Sequence, residues 1–446
     1  MFSKILIANR GEVAVRIIRA CKEMGIATVA VFSEADGEAL HANLADESYC
    51  IGPARVADSY LNMKAIITVA LATGVDAIHP GYGLLSENTE FARLCEENGI
   101  VFIGPDADTI AKMGDKDEAR RTMKKAGIPV IEGSDVLRDF EDARRQADRI
   151  GYPLLLKAKD GGGGRGIRLI NEAQELESAF YGATAEAEAA FGCGALYIEK
   201  YLYPVKHIEV QLLCDQFGNI VILGERDCSV QRKNQKLIEE APAPTLPAET
   251  REELYKAARK AARAANYTSV GTIEFLMDGT GAFYFMEMNT RLQVEHSVTE
   301  MVCGVDIVKW QIRVAAGVEL SFTDKDVNRT GHAIECRICA EHPFKFTPNS
   351  GEIRILHIPG GMNVRFDSAI YQGYVVPPFY DSMLGKLIVY SRTREEAIRK
   401  MKSALSELII DGIMQNSELY LELLTEPTFE DGTYTTSFLK DRGYIV

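Results

Sequence analysis

Short apolar runs alternate with helical patterns over the first hundred residues. Residues 4–8, 28–32, 77–79 and 101–103 read as strands, and 13–24, 65–72 and 90–97 as helices. Strands separated by helices predict a mostly parallel, doubly wound sheet. From 113 to 150 the chain is charged and helical, up to the breaker Gly151-Tyr152-Pro153. A compact unit follows: a strand at 154–157, a glycine loop at 161–166, a strand at 167–170 and an Ala/Glu-rich helix to about Ala190. Flanked by Pro and Gly, this unit reads as a small mobile lid. Strands dominate from Leu196, with helices near 249–265 and 298–316. A β-rich stretch over roughly 331–390 and helices at 393–409 and 416–424 close the chain. The expected organisation is therefore mixed α/β and α+β. It divides into an N-terminal α/β unit (1–112), linker helices and lid (113–202), a strand-rich core (203–330) and a C-terminal β-rich unit (331–446). There are no internal repeats.

A chain of 446 residues exceeds one ordinary core, in keeping with several units. Its net charge of −14 argues against a broad surface for nucleic acid or anionic membrane, though not against a local basic pocket. Nine scattered cysteines read as reduced thiols, and the lone C-x-x-C of Cys336 and Cys339 is weak grounds for zinc. There is no signal-peptide pattern and no apolar run near the ~20 residues that span a bilayer. A cytoplasmic protein is expected, or one of an organelle matrix.

Candidate chemistry concentrates in a predicted hairpin, 272–278 and 283–289, around Gly279-Thr280-Gly281. A four-residue loop at 279–282 pairs Asp278 with Phe283 and, counting outward, sets Glu274 opposite Glu287. Facing side chains share one side of the sheet, so the two carboxylates repel unless a divalent cation lies between them. Period two adds Asn289 to that side, giving hard oxygen donors suited to magnesium bound to phosphates. The plain alternative is a solvated acidic edge in another register. Continued alternation would turn Arg291, Gln293 and Glu295 to the same side and Leu292 and Val294 away. A guanidinium fork, an amide and a carboxylate together can hold and deprotonate a small oxyanion. Ser297-Val298-Thr299-Glu300 has capping-box spacing and would start the next helix.

Asp160-Gly161-Gly162-Gly163-Gly164-Arg165-Gly166 lets backbone N–H groups approach phosphate, with Lys157 and Lys159 just before it. It is not a P-loop, and no G-x-G-x-x-G follows the first strand, which disfavours a nicotinamide enzyme. His207, Glu209 and Gln211 alternate with apolar residues, giving one polar strand face towards a cleft. The run Tyr197–Leu202 enters a turn whose backbone could read an adenine edge. Arg337 could stabilise an anion, or be an ordinary salt-bridged strand arginine.

These residues sit in runs that resemble the ATP-grasp biotin carboxylases. The matching runs are IANRGE (7–12), HPGYGLLSEN (79–88), FIGP (102–105), MGDK (113–116), GYP (151–153), GGGGRG (161–166), ERDCS (225–229), EEAPAP (239–244), EMNTRLQVEH (287–296) and YDSMLGKL (380–387). The resemblance implies that bicarbonate attacks the γ-phosphate of ATP to give carboxyphosphate, whose carboxyl passes to biotin on a separate carrier protein. By it, Lys116 and Lys157 would bind phosphates, with Gly163 and Gly164 in the closing lid. Glu199, Lys200, Tyr201 and Leu202 would hold adenine, His207 the ribose, and Gln231 and Asn234 would add nucleotide contacts. Glu274, Glu287 and Asn289 would carry two Mg2+ or Mn2+ ions. Lys236, Arg291, Gln293, Val294 (through its backbone) and Glu295 would surround bicarbonate, with Glu295 as base and Arg337 at the biotin enolate.

The same likeness suggests the first half-reaction of acetyl-CoA carboxylase, a biotin carboxyl carrier protein and carboxyltransferase subunits as partners, and a homodimer using Arg19, Glu23 and Arg365. Met401-Lys402-Ser403 lacks the biotinylation pattern, so the carrier is expected to be separate. Three departures stand out: Asn234 where relatives often have His, Ser297 where Pro is usual, and Lys159-Asp160 in place of smaller residues. The rival readings are another ATP-grasp ligase that makes an acyl phosphate for an amine, and a catalytically silent nucleotide binder.

Overall fold

In the computed structural model, which describes residues 1–159 and 166–445, the first apolar runs become a five-stranded sheet. Its order is Glu47–Cys50, Ala27–Phe32, Lys4–Ile7, Ala77–His79 and Val101–Phe102, with every pair parallel. Helices Gly11–Glu23, Met63–Thr73 and Thr89–Glu97 alternate with these strands. The edge strand Glu47–Cys50 is exposed over most of its length and has no apolar run, so hydrophobic pattern does not reveal it. The order reverses between Lys4–Ile7 and Ala77–His79, where an open α/β sheet leaves a crevice for ligands. Here Asn9 occupies it, its Nδ2 donating to the carbonyls of Pro80 (2.7 Å) and Tyr82 (2.9 Å). Gly81 (φ +65°) permits this approach, since a Cβ would stand 2.8 Å from Asn9 Nδ2. Asn9 thus ties together the loops that follow these two strands.

Three antiparallel strands, Ile167–Ile170, Leu154–Ala158 and Leu196–Lys200, form a second sheet. Helices Phe140–Ile150 and Ala173–Phe191 complete a core of their own, with Ile150, Leu154, Leu156, Ile170, Leu176 and Ile198 at its centre. A unit with a separate core can move as a body. The loop residues Gly163 and Gly164 lie outside the described residues.

The third sheet has eight antiparallel strands. Their order is Phe283–Asn289, Ser269–Asp278, Val205–Cys214, Ile220–Arg232, Gln235–Ala241, His332–Cys339, Met383–Ser391 and Val364–Ser368. It runs unbroken past residue 330, because Gln235–Ala241 pairs with His332–Cys339. In Val205–Cys214, Ile208, Val210 and Leu212 pack with Leu254 and Ala258 of helix Ala248–Ala264. Period two then turns His207, Glu209 and Gln211 to the other face. The helix expected over 298–316 is two helices, His296–Cys303 and Ile307–Ala315. Gly304 ends the first in the left-handed region (φ +69°), and the Asp306 side chain caps the second.

Gly271, in Ser269–Asp278, lies under the ring of buried Tyr267, and an added Cβ would meet Cε1 at 2.6 Å. Gly271→Ala should therefore lower stability by about 1–3 kcal/mol through overpacking. Urea unfolding checks this, and an unchanged midpoint would contradict the packing.

Candidate active site

The hairpin sets Glu274 opposite Glu287, but by a different route from the four-residue loop. Met277 pairs with Phe283, Leu276 with Tyr284 and Phe275 with Phe285, one step off the expected register. A β-bulge at Met286 restores the Glu274–Glu287 pair. The turn consumes Asp278, whose Oδ1 accepts from Thr280 N (2.9 Å), Thr280 Oγ1 (2.6 Å) and Ala282 N (3.2 Å). Gly281 at φ +86° supplies the left-handed residue that such a loop requires.

Beyond Asn289 the strand stops. Residues 290–295 form a loop, so strand alternation does not aim Arg291, Gln293 and Glu295; individual bonds do. Arg291 is held by Glu87 (Nε to Oε2, 2.8 Å) and by the Asn289 amide oxygen (2.9 Å). Gln293 Nε2 donates to Glu274 Oε1 at 2.7 Å. Leu292 is wholly buried and anchors the loop from below. The next helix starts at His296, with Glu295 at its N-cap position making no capping bond. Ser297 is therefore inside the helix and not its cap.

At the centre, Lys236 Nζ donates to Glu295 (2.7 Å), Glu274 (3.0 Å) and Glu209. All three carboxylates are buried, at 2%, 3% and 0% exposure respectively. Burial alone would raise the Glu295 carboxyl, but the Lys236 ammonium, with Arg337 and Arg226, outweighs burial and Glu209 and holds it below its usual range. These charges thus favour the carboxylate form of Glu295. Burial likewise opposes ionisation of Glu274, and Lys236 and His207 overcome it. Arg337 lies against Glu295 (3.0 Å) and against Glu239 (Nε to Oε1, 2.6 Å), so it is no surface arginine.

Sequence reasoning assigned no role to Arg226 or Glu87 and left Glu209 as one polar residue of a strand face. Arg226 is completely buried and donates to Glu209 Oε2 (3.0 Å), Gln211 (2.7 Å), Thr299 (3.0 Å), Thr272 (3.2 Å) and Gln293 (2.7 Å). It fixes the Gln293 amide, which in turn meets Glu274. The only sequence signal was the charged ERDCS run inside an apolar strand.

One cleft of about 1310 Å³ joins this cluster to the expected nucleotide residues. Lys157, Glu199, Lys200, Tyr201 and Leu202 line it from the side of the small sheet, and Lys116, at the start of helix Lys116–Lys125, from the side of the Phe283–Asn289 strand. Lys157 is paired with Glu199, and Lys200 Nζ ties down the carbonyls of Gly151 and Tyr152 (3.0 Å each). The backbone N–H groups of Lys200 and Tyr201 go to the carbonyls of Glu132 (2.7 Å) and Pro153 (3.2 Å), leaving less of this turn to read a base than the bare sequence suggests. His207 lies 2.9 Å from Glu274 Oε2, and Gln231 meets its Nδ1 at 2.8 Å. Burial would keep this imidazole neutral, but Glu274 and Glu209 raise it to about 9. Asn234 sits at the tip of the hairpin between Arg232 and Gln235, where it and Lys233 both take positive φ (+65° and +48°). Asn tolerates that conformation, which gives the departure at 234 a backbone reason. Arg291, Gln293, Val294 and Arg337 line the same cleft.

The donor set fits a divalent cation. Burial and the neighbouring charge of Glu274 push the Glu287 carboxyl above its usual range, with Lys116 and Lys236 compensating only in part. A dication between Glu274 and Glu287 would relieve both effects with hard oxygen ligands. Asn289 is less ready, because its Nδ2 donates to Glu274 (2.7 Å) and its oxygen accepts from Arg291. To act as a ligand through oxygen it must release that arginine.

Comparison with known proteins accords with this geometry. Residues 1–110 match the biotin carboxylase N-terminal domain, 115–323 the ATP-binding domain of the carbamoyl-phosphate synthase L chain, and 335–441 the biotin carboxylase C-terminal domain. Biotin carboxylase 1 of Bacillus subtilis is 55% identical over 443 residues, covering 99% of this chain and 98% of the relative. The 2-oxoglutarate carboxylase small subunit of Hydrogenobacter thermophilus is 50% identical, covering 100% of this chain and 94% of its own. A biotin carboxylase–β,γ-ATP complex from Campylobacter jejuni superposes with a TM-score of 0.96 at 49% identity, covering 99% of each chain. The biotin carboxylase domain dimer of the Hydrogenobacter enzyme, in complex with MgADP, ADP and bicarbonate, gives 0.95 at 50% identity, covering 100% of this chain and 99% of that one. With its three domains matched in order and its whole length covered, the chain belongs to the biotin carboxylase family of ATP-grasp enzymes, which carboxylate biotin using ATP.

Proposed function

We propose that bicarbonate is activated where Lys236, Arg291 and Glu295 converge, and that biotin on a carrier protein accepts the carboxyl group beside Arg337. The observation that carries this reading is the buried Glu295 held between Lys236 and Arg337 in the same cleft as the Glu274–Glu287 pair. Lys236 and Arg291 offer donors to the bicarbonate oxygens, and Glu295 removes the remaining proton. The freed oxygen bonds to the γ-phosphorus as the bond to ADP breaks, giving carboxyphosphate. The carboxyl carbon then bonds to a ureido nitrogen, phosphate leaves with the nitrogen's proton, and Arg337 faces the enolate oxygen. Lys116 and Lys157 are assigned to phosphates, Glu199–Leu202, His207, Gln231 and Asn234 to the nucleoside side, and Gly163 and Gly164 to the lid. Glu274 and Glu287 would hold a Mg2+ or Mn2+ ion, with Asn289 as a further oxygen ligand once released from Arg291, and the ion would supply charge neutralisation at the phosphates. Keeping water from carboxyphosphate falls to the small sheet closing over the cleft.

The finer assignments are the acetyl-CoA carboxylase of fatty acid synthesis, carboxyltransferase partners, a homodimer and the cytoplasm. Likeness to bacterial proteins named biotin carboxylase supports the first, and unpaired cysteines suit the last. A second reading, carboxylation of a keto acid, is favoured by the 2-oxoglutarate and pyruvate carboxylase relatives at 50% identity. Likeness to the Hydrogenobacter dimer supports the homodimer. Arg19 is exposed, whereas Glu23 pairs with Lys309 within the chain and Arg365 with Asp367 and Glu300, so the latter two would have to share these partners across an interface. Co-purification of carrier and transferase, assayed with acetyl-CoA, propionyl-CoA, pyruvate and 2-oxoglutarate, separates the two readings.

Glu295→Gln should bind ADP like the wild type while bicarbonate-dependent ATP hydrolysis, stimulated by free biotin, falls by about 100- to 10,000-fold. Near-normal turnover would remove Glu295 as the base. Glu287→Lys puts an ammonium where the cation must sit and should abolish metal-dependent turnover. Retained activity in a titration with MgCl2 would contradict the metal assignment.

A further inference from the structure

The run YDSMLGKL carries a lysine that the reaction as described does not use. Lys386 lies in Met383–Ser391 at 0% exposure, directly across from Arg337 on one neighbouring strand and from Asp367 on the other. Facing residues project to one side, so Lys386 stands beside Arg337. Its ammonium donates to the Val294 carbonyl (2.5 Å) and to Ser297 Oγ (2.7 Å), with Glu12 Oε1 at 3.4 Å. Burial alone would depress this ammonium, but Glu12, Glu335 and Asp367 outweigh it and keep it charged. Val294 and Ser297 stand on either side of Glu295, the first in the irregular loop and the second in the first turn of the helix. Glu12 comes from the N-terminal unit, Ser297 from the core and Lys386 from the C-terminal unit, so three units meet at one nitrogen. A charged donor fully withdrawn from water is tolerated only where its bonds are well made.

We propose that Lys386 is a positioning residue for the proton-abstraction step: it grips the Val294 carbonyl before Glu295 and the Ser297 hydroxyl after it, and so fixes where this carboxylate and the Val294 backbone meet bicarbonate. Ser297 is the second half of the grip, its hydroxyl set by Asp367 Oδ2 at 3.3 Å. The site does not touch the nucleotide side of the cleft. Its loss therefore separates bicarbonate from ATP, which a general loss of stability would not do. The inference rests on Glu295 being the base.

The test compares wild type, Lys386→Met and Ser297→Ala by bicarbonate-dependent ATP hydrolysis and by MgADP titration. Lys386→Met should lower kcat/KM for bicarbonate on the order of 100-fold, the scale of a misplaced reacting group, with MgADP affinity changed by less than about twofold. Ser297→Ala, which removes one hydrogen bond and keeps Lys386, should lower it about fivefold, and Ser297→Thr should recover it. Equal losses for ATP and bicarbonate, or unchanged bicarbonate kinetics in both variants, would overturn the positioning role. If Lys386→Met fails to bind MgADP through misfolding, Ser297→Ala and its threonine rescue decide. A wild type without bicarbonate-dependent turnover overturns the functional reading and this inference together.

Discussion

The site depends on one ammonium group placed among three buried carboxylates. Each ion taken from water costs several kcal/mol, so neither Lys236 nor its partners Glu209, Glu274 and Glu295 would stay charged there alone. The eight-stranded sheet makes this arrangement possible. Glu274 and Glu209 are cross-strand partners, Arg226 faces Glu209 on the next strand, and Lys236 comes from the strand after that. Four adjacent strands thus bring two acids, Glu274 and Glu209, and two bases, Arg226 and Lys236, to one face. The charge balance has a functional edge, because it favours the Glu295 carboxylate while leaving Glu287 undercompensated. The proposed base and the proposed metal ligand thus differ in how fully their charge is met.

The cluster and the small sheet across the cleft belong to separate cores. Arg226 and Gln293 lock the floor through buried bonds, while the 154–200 unit keeps a core separate from that of the large sheet. Phosphoryl transfer draws on preset charge of the kind this floor provides.

Much of the layout was legible in the sequence, for different reasons at different places. The parallel N-terminal sheet followed from apolar runs spaced by helices. The Glu274–Glu287 pair followed from hairpin counting, although two compensating features, the Asp278 turn and the Met286 bulge, were invisible to the count. Alternation failed beyond Asn289 because side-chain bonds from Glu87, Glu274 and Lys386 hold that segment as a loop. The capping box at Ser297 matched a pattern, but Lys386 and Asp367 draw its hydroxyl into the core. Arg226 showed only as part of the charged ERDCS run, since its partners Glu209, Thr272, Gln293 and Thr299 are brought to it by the folded sheet.

The most direct measurement is electron paramagnetic resonance of Mn2+ titrated into the protein with ADP. Nucleotide-dependent Mn2+ binding should appear in the wild type and be lost in Glu274→Gln and Glu287→Gln, with both variants still folded. Unchanged Mn2+ binding in either folded variant would contradict the claim that these two facing acids hold the reaction's cation.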